Sequence, residues 1–312
     1  MSLYPPPVQR STELFSRLPE AFFLAGTPSG WVQANKPGQA VNSFLEGPSF
    51  DRDGRLYVVD IPYGRIFRIC PEGQWELISQ YDGWPNGLKI HADGRIFLAD
   101  YQHGILQLDP KDGKISPVLT HRRSEGFKGI NDLIFDQQGN LYFTDQGQTG
   151  LHDPTGRVFR YNLKNERLDC LLDTGISPNG LALSPDEKTL YVAMTRGNAI
   201  WRLPLFADGS VSKVGIFVQM AGGVSGADGL AVDQAGNVFV ADAGNGCVWS
   251  FSQYGEPLHR YMVCTGGRTV TNLAFGGEDL RTLYMIDSAS GAIVKARTEH
   301  PGIRLFSHSD TY

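Results

Sequence analysis

The sequence predicts an all-β chain folded as a six-bladed β-propeller with four antiparallel strands per blade. Three observations carry this. A strand–turn–strand unit recurs six times, two further apolar segments follow each copy, and the chain is rich in glycine, with 37 residues, at an aromatic content of 11%. Short strands joined by tight turns and repeated every 40–50 residues mark propeller blades.

The first unit is LEGPSFDRDGRLYVVD, residues 45–60. Five others align with it: NGLKIHADGRIFLAD from Asn86, NDLIFDQQGNLYFTD from Asn131, NGLALSPDEKTLYVA from Asn179, DGLAVDQAGNVFVAD from Asp228 and NLAFGGEDLRTLYMID from Asn272. Their lead residues are 40, 45, 48, 49 and 44 positions apart. Third strands are expected at RIFRI, GILQL, RVFRY, AIWRL, CVWSF and AIVKA. Fourth strands are expected at WELIS, SPVLT, LDCLL, GIFVQ, LHRYM and IRLFS. This divides the chain into an N-terminal extension, 1–44, and a propeller, 45–312. The extension is expected to cap the bottom or to add a closing strand to the last blade, because an open ring leaves sheet edges unpaired. Residues 11–24 have room for one short helix.

Each unit opens on a carboxylate or an amide: Glu46, Asn86, Asn131, Asn179, Asp228 and Asn272. Asn or Asp before Gly is a common turn dipeptide, but turn chemistry does not ask for Glu46 at the same place. The first strand of a blade lines the central channel, so the six side chains are expected to converge there. Glu46 and Asp228 would repel each other unless a cation joined them. An oxygen-only set without Cys or His suits a hard divalent ion in the central channel. Ca²⁺ comes first, then Mg²⁺ or Mn²⁺, with Zn²⁺ or Fe²⁺ able to occupy an oxygen site.

Other classes are disfavoured. Charged residues make up 20% and the net charge is −5, which argues against a nucleic-acid partner, since that needs a basic face. No apolar run reaches signal-peptide or membrane-span length. The four cysteines, Cys70, Cys170, Cys247 and Cys264, show no C-x-x-C spacing and read as free thiols of a cytoplasmic protein. There is no G-x-S-x-G and no paired-histidine motif. His91 reads as a solvated turn residue, and His103 and His152 as loop residues. A monomer or small homo-oligomer is expected.

The motifs LEGPSFDRDGRLYVVD, GINDLIFDQQGNLYFTD, SPNGLALSPDEKTLYVA and GADGLAVDQAGNVFVAD resemble those of the SMP-30/gluconolactonase/LRE-like family. Within it they look most like the calcium-dependent bacterial lactonases, and the fold is shared with diisopropyl fluorophosphatase. The resemblance implies a metal held by Glu46, Asn131, Asn179 and Asp228. It also implies hydrolysis of a small-molecule lactone, with Asp228 as general base or nucleophile. Organophosphate hydrolysis, or a non-catalytic scaffold with a structural metal, are the alternatives. Sugar-lactone members often carry Arg two residues before the third-unit Asn, where this chain has Gly129 after Lys128. Asn86, Asn272, Trp84, Tyr101, Phe127 and Lys128 are the candidate substrate-binding residues. Specificity is expected in the loops 120–130, 146–156 and 220–227.

Overall fold

The computed structural model describes residues 4–309. Six sheets of antiparallel strands form the six blades that the repeat predicts. Blade 1 runs outward through Leu45–Phe50, Leu56–Asp60, Arg65–Ile69 and Trp75–Gln80. The inner strands of blades 2 to 6 are Pro85–Ile90, Ile130–Phe135, Pro178–Leu183, Gly226–Val232 and Val270–Gly276.

The ring closes through its N-terminal segment. Glu13–Arg17 is the fourth strand of blade 6, antiparallel to Ala292–Arg297. Val8–Arg10 adds a fifth strand to blade 5, parallel to Pro257–Met262. The expected fourth strand at IRLFS is therefore corrected: that edge is already taken, and the segment runs as coil into a short 3₁₀ turn, Phe306–His308. The helix expected within 11–24 is also corrected. That stretch pairs as a strand and then makes one turn at Glu20–Phe22. The α-helix lies later, at Gly30–Asn35, where the Ser29 side chain accepts from the Val32 N–H and caps its start.

The core lies between blades. Tyr57 and Val59 of blade 1 pack with Leu88 and Ile90 of blade 2, and Tyr191 and Ile200 of blade 4 with Leu230 and Val240 of blade 5. Threonine hydroxyls add polar stitches from one blade to the next: Thr144 Oγ1 donates to the Asn179 carbonyl, Thr195 Oγ1 to that of Ala227 and Thr271 Oγ1 to that of Leu45.

Every inner strand carries a register shift near its start, with one extra residue against its partner strand. Such a bulge bends the strand and re-aims the side chains beside it. In blades 2 to 6 it begins at the lead residue, and in blade 1 it follows Glu46 at Gly47–Pro48. A Cβ on the following glycine would strike the next blade. At Gly47 it would lie 2.8 Å from the Leu88 nitrogen, and at Gly180 2.4 Å from the Asp228 carbonyl oxygen. The glycine of each E-G, N-G or D-G pair is thus what lets neighbouring inner strands approach near the axis.

The same register corrects the lead residue of blade 6. Val270 pairs with Asp287 as Leu45 pairs with Asp60, so Thr271 is the equivalent of Glu46. Asn272 holds the glycine position, as Asp132 does in blade 3.

His91 is also corrected. It is buried against Phe97, Phe135 and Phe306, with Nδ1 2.8 Å from Asp93 Oδ1. The C-terminal segment that carries Phe306 folds over this turn and excludes water from it.

Candidate active site

At one end of the axis the inner strands open into a cavity of about 680 Å³. Glu46, Asn86, Asn131, Asn179 and Asp228 line it together, with Trp84 and Tyr101. Three other candidates are not among its lining residues. Phe127 packs edge-on to Phe143 and Phe159, and Lys128 Nζ donates to Thr155 Oγ1. Asn272 lies beneath the ring, where its Nδ2 donates to Glu46 Oε2 at 2.8 Å and to Asp132 Oδ2 at 3.4 Å. Of the three loops, residues 146–152 and Ser225 reach the cavity, and 120–130 does not.

The side chains are held in defined orientations. Glu46 Oε2 also accepts from the Gly47 N–H at 2.7 Å, so both its donors lie on one oxygen. Asn131 Nδ2 donates to Gln146 Oε1 at 2.9 Å, and Gln146 Nε2 donates to Ser177 Oγ at 2.9 Å. This chain fixes the Asn131 amide and leaves Oδ1 as its remaining polar atom. The Asn179 side chain stands beside the Asp228 carboxylate and acts to hold its pKa down.

Asp132 is the residue that sequence reasoning missed. It occupies a glycine position, so the alignment of lead residues passed over it. Its carboxylate is buried at the axis, accepts from the Leu133 N–H and sits 3.9 Å from Lys89 Nζ. Burial pushes the Glu46 carboxyl well above the usual carboxylate range, and repulsion from Asp228 and Asp132 adds to this. Asp228 is raised for the same two reasons, desolvation and then Asp132. Burial raises Asp132 as well, while Lys89 opposes the shift.

The charge pattern is that of a cation site. Lys89 balances Asp132, which leaves Glu46 and Asp228 with two negative charges. Among the described residues, no three Asp, Glu, His or Cys side chains cluster to bind a metal, so a metal here would need amide oxygens as well. The Asn131 and Asn179 side chains can supply them. The residues present therefore fit a hard divalent ion.

The rim has two characters. Trp31, Phe44, Ile61, Trp84 and Tyr101 come from the N-terminal helix and blades 1 and 2. The Trp31 and Phe44 rings lie 4.8 Å apart, and those of Trp84 and Tyr101 5.9 Å apart. Tyr101 covers Gly129, where a Cβ would stand 2.4 Å from the ring. No side chain fits at Gly129 while Tyr101 is there. Gln148 Nε2 donates to the Tyr101 hydroxyl at 2.7 Å. The rest of the rim carries His152 from blade 3 and Ser177, Thr195 and Arg196 from blade 4.

A bulged propeller ring with an acid-and-amide floor under one mouth defines the class, and sequence comparison gives its family. Residues 44–289 match the SMP-30/gluconolactonase/LRE-like region, and the chain belongs to that family. It is 31% identical over 248 residues to Lactonase drp35 of Staphylococcus aureus (strain MRSA252), a match covering 76% of this chain and 74% of that protein. Similar solved structures include a gluconolactonase from Xanthomonas campestris, with TM-score 0.72 and 22% identity over 82% of this chain and 86% of that one. The calcium-binding protein regucalcin from Agrobacterium tumefaciens also shares the fold, with TM-score 0.72 and 20% identity over 96% of this chain and all of that one.

Proposed function

We propose that the protein is a divalent-cation-dependent lactonase. The observation that carries this is the pair Glu46 and Asp228, facing one cavity with the amides of Asn131 and Asn179. Family membership and relatives named as lactonases support it. Calcium is the ion that the oxygen donors suit best.

Glu46, Asn131, Asn179 and Asp228 would hold the cation, which when bound supplies Lewis-acid polarisation of the lactone carbonyl. The chain's own groups do the rest. The aromatic wall orients the lactone ring with its carbonyl toward the floor. Asp228 accepts a proton from the water that adds to the carbonyl carbon. The ring C–O bond then breaks, and Asp228 returns the proton to the departing oxygen, giving a hydroxy acid. Asn179, beside Asp228, keeps that carboxylate directed at the water. Asn272 performs the same service for Glu46 from below.

The test is hydrolysis of a model lactone such as dihydrocoumarin. Turnover is expected to stop on chelation and to return with added calcium. A cation-loaded protein that is inert toward both lactones and phosphoesters would sink the reading in favour of a binding scaffold.

A further inference from the structure

The two walls of the mouth differ in a way that lactone hydrolysis alone does not use. Blades 1 and 2 lie across the six-membered ring from blades 4 and 5. The first pair contributes Ile61, Trp84 and Tyr101, while blade 4 contributes Arg196. Arg196 is the sole Lys or Arg among the described residues that line the cavity. It is exposed and makes no hydrogen bond or ion pair with another described residue, although its charge is felt at Asp228.

Its backbone is nevertheless rigidly placed. Arg196 sits in the 3₁₀ turn Thr195–Gly197, which ends on Asn198 in the left-handed conformation. The Thr195 N–H donates to the Ser177 carbonyl at 3.0 Å and its hydroxyl to that of Ala227 at 2.8 Å. The Asn198 amide donates to the carbonyls of Met220 and Gly222. In blades 1 and 2 the corresponding turns present Ile61 and Tyr101 to the same cavity. The position that delivers Ile61 and Tyr101 on one side delivers Thr195 on the other, and the next residue, Arg196, adds a guanidinium there.

The charge balance gives this arginine a purpose. With Asp132 matched by Lys89, and Glu46 and Asp228 matched by a divalent cation, the guanidinium leaves the loaded cavity with one positive charge in excess. A planar guanidinium on a fixed turn recognises a carboxylate by paired hydrogen bonds.

We propose that the substrate is an amphipathic anionic lactone, whose apolar part lies against Trp84 and Tyr101 and whose carboxylate pairs with Arg196. This rests on the lactonase reading and names its substrate class.

The experiment uses a matched pair: a lactone with an arylalkyl side chain ending in a carboxylate, and its methyl ester. For the cation-loaded wild type, kcat/KM for the acid is expected to exceed that for the ester by about tenfold or more. Arg196→Gln should bring the ratio near one, mainly through the KM of the acid, and Arg196→Lys should restore part of it. A ratio that Arg196→Gln leaves unchanged, or a wild type that favours the ester, overturns the proposal. Binding is read separately with the corresponding carboxylate lactam, which is not turned over, by quenching of Trp31 and Trp84 fluorescence. Binding of the lactam that depends on Arg196, with neither lactone hydrolysed, would refute the hydrolase reading and keep the anion site. Hydrolysis of both lactones without charge preference would do the reverse.

Discussion

The two ends of the central axis are built from the same six strands, yet they have opposite characters. One end is a polar cavity of about 680 Å³. The other is a space of about 50 Å³ lined by Pro48, Phe50, Ile134, Leu181, Leu230 and Leu273, with Ile303 and Leu305 of the C-terminal segment against it. The bulge divides them. Above it the re-aimed residues are acids and amides, and below it normal alternation resumes with apolar side chains. Small residues, Ala182, Ala231 and Ala274, let the lower strands converge. A ring of inner strands thus becomes a pocket with one mouth rather than a pore. Position matters at the upper end, and filling matters at the lower.

That contrast can be broken at either end. Asp228→Ala should lower kcat/KM for a lactone by about 10³-fold, with little loss of thermal stability, because the residue removed is a carboxylate repelled by its neighbours. Steady-state kinetics beside a melting curve check this. If full turnover persisted with the cation bound, the assignment of Asp228 would fail. Phe306→Ala should do the converse. It opens a void beside His91 and Phe135 and should cost about 3–5 kcal/mol of stability, with kcat per folded molecule unchanged. Denaturant unfolding measured alongside activity separates the two effects.

Lys89 lies between the two ends and tests their coupling. Lys89→Met leaves Asp132 buried without its counter-charge and should destabilise the cation-free protein by about 3–5 kcal/mol. Added calcium should recover most of that loss, so the calcium-induced rise in Tm is expected to be larger than in wild type. An equal rise in both proteins would show that Lys89 does not share the electrostatics of the ring.

The smallest effect concerns pH. Burial holds the His91 imidazole below its ordinary range. Below pH ~6.5 the unfolded chain therefore binds a proton that the folded one resists. This contribution to stability is present above the unfolded value and is lost as pH falls toward the folded one. His91→Asn should flatten the decline of Tm between pH 6.5 and 5. An unchanged slope would place the acid sensitivity elsewhere, for instance at His259 or His308, which burial also lowers.

The blades were legible in the sequence because each repeats the same local chemistry: an apolar strand, a polar turn and a second strand. The convergence of the lead residues followed from that repetition. What escaped depends on long-range contacts. In blade 6, Asn272–Leu273 imitates the N-G-L of other units, and only strand pairing reveals Thr271 as the equivalent lead residue. Asp132 was hidden because it stands where a glycine belongs. His91 looked like a surface turn until the C-terminal segment covered it. The fourth strand of blade 6 could not be assigned from its own neighbourhood, since its residues lie 275 to 282 positions away, from Arg17 beside Ala292 to Glu13 beside Lys295. Arg196 carried no local signal, because a turn arginine gains meaning only from the wall it faces.

The strand that closes the ring has a further consequence, in time rather than in space. Glu13–Arg17 is synthesised long before its partner, Ala292–Arg297. Pairings so distant in sequence form slowly, because a long loop must be ordered before they repay its entropy. The emerging chain must therefore keep an unpaired N-terminal strand waiting while blades 1 to 5 accumulate. The acids and amides of the cavity floor come from those five blades, but the Asn272 bond that orients Glu46 comes from the sixth. The floor reaches its working geometry only when these two distant strands have met.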